Sequence, residues 1–271
     1  WRSMLKFYLQ CFFLGLASYL VYVGMSSGFS WQTLAERLLA FTHNGWWFVV
    51  SYVGLMLFSP LLNKAVENMT GKQLLHCILL FSVVILYFGW YQKVEPTNTG
   101  SSLISFIWIY LIGRYVGKHM TIDYIRSYRW IWLGGYLLSC LSLFGLIMLR
   151  YHFSIEMHYP LDYNNPLVVI AAIMLLLFFL SLTFQHKVVN WMASSVFAAY
   201  LLQESCYMGH GWLYPQMREL FVHIPDGWRI LMLLGVSVAF LLLSILIDKV
   251  LSILSCGILR AYDRYCVPKD S

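Results

Sequence analysis

The sequence predicts an all-α fold, a polytopic membrane helix bundle of about eight transmembrane helices. Three observations carry that reading. First, 60% of the 271 residues are hydrophobic and only 11% are charged, whereas soluble domains average about 25% charged. So few charges cannot cover a surface that faces water. Second, apolar stretches recur along the chain at lengths close to the ~20 residues that cross a hydrocarbon core of about 30 Å. Third, thirteen of the 18 Lys and Arg residues fall on the side that carries both termini when the chain is threaded through eight spans, against five on the other. That bias predicts both ends to be cytoplasmic.

The elements follow in order. Arg2 and Lys6 precede a first uncharged run, 7–25. A Ser- and Gly-rich loop, 26–44, carries Glu36, Arg37 and His43, and the stretch 31–41 within it predicts a short interfacial amphipathic helix. The second span, 45–63, is the element around which the rest is organised. It opens with Trp46 and Trp47 and closes with Ser59-Pro60-Leu61-Leu62-Asn63, a proline-weakened turn that either opens the cytoplasmic end of the helix for the donor or is a simple kink with Asn63 as its cap. The third span, 74–91, ends in Trp90-Tyr91 at an interface. After a loop with Pro96, Asn98 and Gly100 comes the shortest span, 101–116, which meets Arg114 before its end. The fifth, 130–149, is uncharged, and the sixth, 166–184, starts on Pro166, where a missing N–H costs nothing. The seventh, 188–207, holds Asn190, Ser194, Ser195, Gln203 and Glu204, a polar density that predicts burial among other helices. The eighth, 230–247, leads into a tail with Leu251, Ile253, Leu254, Ile258 and Leu259 at helical spacing, read as a continuing or surface-lying helix. No repeat or linker divides the chain, so residues 1–271 are expected to form one integral membrane domain.

Several function classes are excluded. The net charge of +6 is spread over short loops without a basic run interleaved by aromatics, so no nucleic-acid partner is expected. Cys11, Cys77, Cys140, Cys206, Cys256 and Cys266 show no metal-like spacing and read as free thiols. His152, Glu156, His158 and Asp162 lie in one polar loop, but their spacing matches no helical ligand pair, and no metal is expected. The chain starts at Trp1 and not at Met, from which an absent N-terminal piece is expected.

Four segments carry a resemblance: WWFVVSYVGLMLFSPLLNK (46–64), FIWIYLIGRYV (106–116), YNNPLVVIAAIMLLLFF (163–179) and VVNWMASSVFAAYLLQES (188–205). In that order and at that spacing they resemble the acyltransferase-3 family of integral membrane acyltransferases, most closely the branch from bacterial surface-polysaccharide clusters. The resemblance implies about ten helices, of which the first two would precede this chain. It implies transfer of an acyl group, expected to be acetyl, from acyl-CoA to a sugar hydroxyl of a surface or exported polysaccharide or its lipid-linked precursor. No cofactor is implied beyond acyl-CoA as co-substrate. The implied location is the bacterial cytoplasmic (inner) membrane. The family's first-helix histidine would lie before Trp1, so no catalytic residue is assigned. Its arginine pair would fall near residues 1–6, where this chain departs from Arg-x-x-Arg and has Arg2 and Lys6, and the histidine of its "YLIHE" segment is Gln203 here.

Acyl transfer from CoA needs cations for the phosphates and a polar site for the acceptor. Arg2, Lys6, Asn63 and Arg114 are the candidates for the acyl-CoA side, with ordinary positive-inside charge as the other reading of the cations. Trp46, Trp47, Gln203 and Glu204 are the candidates for the acceptor side. Glu204 is the sharpest, because an acid in a membrane helix is expensive. The tryptophans either stack on a sugar face or anchor the helix at the interface. A polysaccharide-precursor transporter or flippase is the alternative function, and a scaffold without activity a third.

Overall fold

A computed structural model describes residues 2–26, 28–32, 34, 46–97, 99–154 and 160–266. The described residues are helical with no strand, so the all-α bundle is what the chain forms. Five helices are long and apolar enough to cross a membrane: α1 (Arg2–Ser26), α2 (Trp47–Glu67), α3 (Gly71–Ser82, continued in π form over Val83–Tyr91), α6 (Arg129–Phe153) and α11 (Asp226–Cys266). Their outer faces leave large aliphatic side chains such as Leu80, Leu138 and Ile230 open, which suits lipid and not water. Between them stand α4 (Leu103–His119), α5 (Ile122–Ser127), α7 (Pro166–Ser181), α8 (Lys187–Ala193), α9 (Val196–Gln203) and α10 (Tyr214–His223).

Three expected spans differ from the long helices. The fourth is α4, 17 residues long with Arg114 and Lys118 in its second half. The sixth is α7, which stops at Ser181 although the apolar composition runs on to 184. The seventh is two short helices, α8 and α9, with a break at Ser194-Ser195. There the Ser194 hydroxyl donates to the Trp191 carbonyl at 2.8 Å and competes with the helical ladder. Only α9 of this pair is buried, through Ala198, Leu201 and Leu202. The tail does continue as helix: α11 runs 41 residues, about 60 Å at ~1.5 Å per residue and so twice a bilayer core.

The chain stays helical through Ser59-Pro60. Proline removes the N–H that would have bonded the Met56 carbonyl, and the Ser59 hydroxyl donates to that same carbonyl at 2.8 Å. The helix therefore continues to Glu67. Asn63 does not cap it. Its side-chain oxygen accepts from the Tyr110 hydroxyl, and the cap is the Lys118 ammonium, which donates to the carbonyls of Val66, Glu67 and Met69 at 2.9, 3.0 and 3.1 Å.

The chain forms two compact units, one of residues 1–50 with 185–271 and one of residues 51–184. The core of the second is built by Val66, Leu74, Ile78, Ile85, Trp108, Leu111 and Val169. Its loop 92–101 folds back onto α3: the Asn164 amide donates to the Thr97 carbonyl at 2.7 Å. A side chain at Gly89 would meet that carbonyl at 2.5 Å, so glycine is required there. In the first unit α1 lies antiparallel to α11. Arg2 pairs with Asp263 and Gln10 with Asp248, so the first and last described turns of the chain sit together.

The loop 31–41, with Glu36, Arg37 and His43 near it, lies mostly outside the described residues, as do Trp1, Asn98, Glu156 and His158. Cys11 is buried, Cys206 is exposed, and Cys11, Cys77, Cys140, Cys206 and Cys256 are free thiols.

Candidate functional site

Helical spacing aligns Arg2, Lys6, Gln10 and Leu14 on one stripe of α1, four residues apart. On α11 the same rule gathers Asp248, Ser252, Ser255, Cys256, Leu259 and Arg260. These two stripes face each other, and the Ser194-Ser195 break supplies the third wall. Together they enclose a cavity of about 430 Å³, within the range usual for small-molecule sites. All its lining residues belong to the first unit.

The cavity is cationic. Arg2, Lys6, Lys249 and Arg260 line it, against the single lining carboxylate Asp248. Asp248 is buried, and it accepts from the Gln10 amide at 2.8 Å, which keeps one of its oxygens satisfied. Lys249 donates to the Ser194 hydroxyl at 2.7 Å and its ammonium lies 4.8 Å from the centre of the Trp191 ring. Arg2 is held at the mouth by Asp263. Ser195 is the unusual member. It is fully buried, lines the cavity, and its hydroxyl has no hydrogen-bond partner among the described residues. A buried hydroxyl without a partner costs about 1–3 kcal/mol.

The structure brings together two of the residues expected on the donor side, Arg2 and Lys6. The other two, Asn63 and Arg114, belong to the second unit. There Asn63 is engaged by Tyr110, and Arg114 follows one turn along α4 with its Nε enclosed and unpartnered. Of the acceptor-side residues, Gln203 is exposed at the end of α9, and Glu204 is its partly buried C-cap. Trp46 is only 3% exposed and its indole N–H donates to the Leu201 carbonyl at 3.0 Å, so it holds α9 from inside. Trp47 is half-buried beside the Phe48 ring. Sequence reasoning missed Lys249, Arg260 and Ser195 as cavity residues. The signal was present in the polar stripe Asp248, Ser252 and Ser255 of the tail helix, but nothing local says that this stripe meets α1.

A family model described as an acyltransferase domain matches residues 1–249. The chain belongs to the acyltransferase-3 family. Its function is therefore acyl transfer in general terms, carried out by a membrane protein. The acyltransferase-3 match spans both compact units and ends inside α11, so Ser252, Ser255, Cys256 and Arg260 line the cavity from beyond the matched stretch. No curated protein and no solved structure matches the chain.

Proposed function

We propose that this acyltransferase moves an acyl group, expected to be acetyl, from acyl-CoA to a sugar hydroxyl of a surface or exported polysaccharide or its lipid-linked precursor. The observation that carries the donor half is the cavity that Arg2, Lys6, Lys249 and Arg260 line together, with Asp248 as its single carboxylate. CoA presents several phosphates, and guanidinium groups bind such oxygens in pairs. Because acyl-CoA is cytoplasmic, this cavity, and with it both ends of the chain, would face the cytoplasm of a bacterial inner membrane. In the reaction the thioester C–S bond breaks, a C–O ester bond forms, and the sugar hydroxyl's proton ends on the CoA thiol. Asn63 and Arg114 are a second polar pair assigned to the donor side. Gln203 and Glu204 are assigned to the acceptor side.

Supporting this division, one helix connects the two sites. Ser195, just before α9, lines the cationic cavity, and Gln203 and Glu204 end that helix, about 12 Å further at ~1.5 Å per residue.

Membranes carrying the protein, incubated with acetyl-labelled CoA and the host's glycan fraction, test the reading. Label in alkali-labile ester linkage to glycan is the expected result. Lys6→Ala combined with Arg260→Ala should raise KM for acyl-CoA about tenfold or more, by loss of two charge-assisted contacts. Glycan that crosses the membrane with no label incorporated would overturn the reading in favour of transport.

A further inference from the structure

A second cavity opens about one helical turn along α1 from the first. Phe13 and Leu14 line the cationic cavity, and Ser18, Val21 and Tyr22 line the second, together with Tyr207, Met208, Gly211 and Trp212. Its volume is about 160 Å³, below the roughly 300 Å³ at which drug-sized sites begin, so it takes a single ring and not a nucleotide. Its walls are largely aromatic. Tyr22 and Tyr207 have ring centres 4.6 Å apart, and Tyr19 packs on Tyr207 at 5.5 Å. Trp212 forms the rim and is 42% exposed. Ser18, which lines the cavity, accepts from the buried Ser205 hydroxyl at 3.1 Å and donates to the Gly15 carbonyl at 2.9 Å.

The wall is rigidly placed. Residues Gly209–Leu213 form a π turn, a rare conformation that recurs at functional sites. A side chain at Gly209 would lie 1.5 Å from the Gln203 carbonyl, and one at Gly211 would lie 2.9 Å from the Cys206 carbonyl. Gly209 lets this turn pack directly against the end of α9, which carries Gln203 and Glu204, and Gly211 lets it pack against the Cys206 carbonyl beyond that end. On its other side the same turn borders an open groove of about 630 Å³ lined by His210, Tyr214, Arg218 and Glu219.

We propose that the aromatic cavity receives one sugar ring of the acceptor, with neighbouring sugars continuing along the His210–Glu219 groove. This rests on the acyl-transfer reading above. A sugar ring has an apolar C–H face and a polar edge. The face matches the rings of Tyr22, Tyr207 and Trp212, which offer rigid apolar area with a polar tip. The edge matches the Ser18 hydroxyl oxygen in the cavity and the charged side chains of Arg218 and Glu219 in the groove. A hydrocarbon tail would gain nothing from either polar set, and a dinucleotide would not fit.

Saturation-transfer NMR on the whole chain in nanodiscs tests this with methyl glycosides of glucose, galactose, mannose, rhamnose and N-acetylglucosamine, and with trisaccharides of the same sugars. At least one glycoside should receive saturation through its ring C–H protons, and the matching trisaccharide should bind more tightly. Trp212→Ala should weaken binding about tenfold, Trp212→Phe less, and Trp130→Ala, at an exposed tryptophan of the other unit, not at all. Should Trp212→Ala fail to fold, Val21→Phe fills the cavity from α1 and should abolish the signal. No signal from any glycoside with the wild-type chain, or a signal that survives Trp212→Ala and Val21→Phe, overturns the proposal. The two readings fail separately. Glycoside binding without label transfer defeats the acyl-transfer reading alone. Label transfer with an acceptor KM unmoved by Trp212→Ala defeats the sugar site alone.

Discussion

The Arg2 guanidinium donates through Nε to both carboxylate oxygens of Asp263, at 2.9 and 3.2 Å, across 261 residues of sequence. The pair is solvent-exposed, with side-chain exposures of 61% and 38%, and exposed pairs contribute little to stability. Its interest lies in its position, because Asp263 occupies one of the four cations of the cavity proposed to take the donor. Asp263→Asn should therefore leave the unfolding midpoint within about a degree or two, yet lower KM for acyl-CoA a few-fold by removing a competing anion. A raised KM would show that Asp263 positions Arg2 for the donor and does not compete with it.

Ser195→Ala separates packing from binding. Removing a buried hydroxyl that has no partner should leave stability unchanged or raise it by up to about 1 kcal/mol. If the hydroxyl meets the donor, the same change raises KM for acyl-CoA. A loss of stability without a change in KM would mean that the hydroxyl serves the fold alone.

Trp46 satisfies one of the last carbonyls of α9, which have no partner within the helix. Trp46→Phe keeps most of the ring and removes the N–H, so it should destabilise the protein by about 1–3 kcal/mol. Trp46→Ala should cost roughly 3–5 kcal/mol. Detergent-resistant thermal unfolding measures both. A Phe variant as stable as wild type would mean that the hydrogen bond carries no weight.

Lys118 closes α2 on three carbonyls. A cation at a helix C-terminus both bonds these groups and meets the negative end of the dipole. Lys118→Met should cost about 1–2 kcal/mol and leave KM for acyl-CoA where it was. A KM increase at full stability would reassign Lys118 to the donor site.

Glu204→Gln preserves shape and removes charge at the C-cap of α9, where a negative group is unfavourable. Stability should hold or rise slightly, while transfer to the glycan should fall by about tenfold or more. Turnover at the wild-type level removes Glu204 from the acceptor side.

Much of the architecture was legible in the residues. The runs behind α1, α3, α6 and α11 announce themselves because transfer of apolar side chains to lipid adds up locally, residue by residue. Pro166 after Asn165 marked the start of α7 for an equally local reason. The misread points involve partners distant in sequence. Asn63 looks like a cap until Lys118 arrives from another helix. Trp46 has the composition of an interface anchor, and its burial depends on where α9 ends.

Composition and periodicity alone establish a helical membrane protein, and four short segments establish its kinship, since each of these properties is written in contiguous stretches. Tertiary packing made the sites. Arg2 and Lys6 become part of a four-cation cavity because α11 runs antiparallel to α1 and turns Lys249 and Arg260 toward them. The rings of Tyr22, Tyr207 and Trp212 converge because Gly209 lets a π turn press against the end of α9. Which helix faces meet is a property of the packed bundle, set by the sum of many weak contacts, and a local pattern does not encode it.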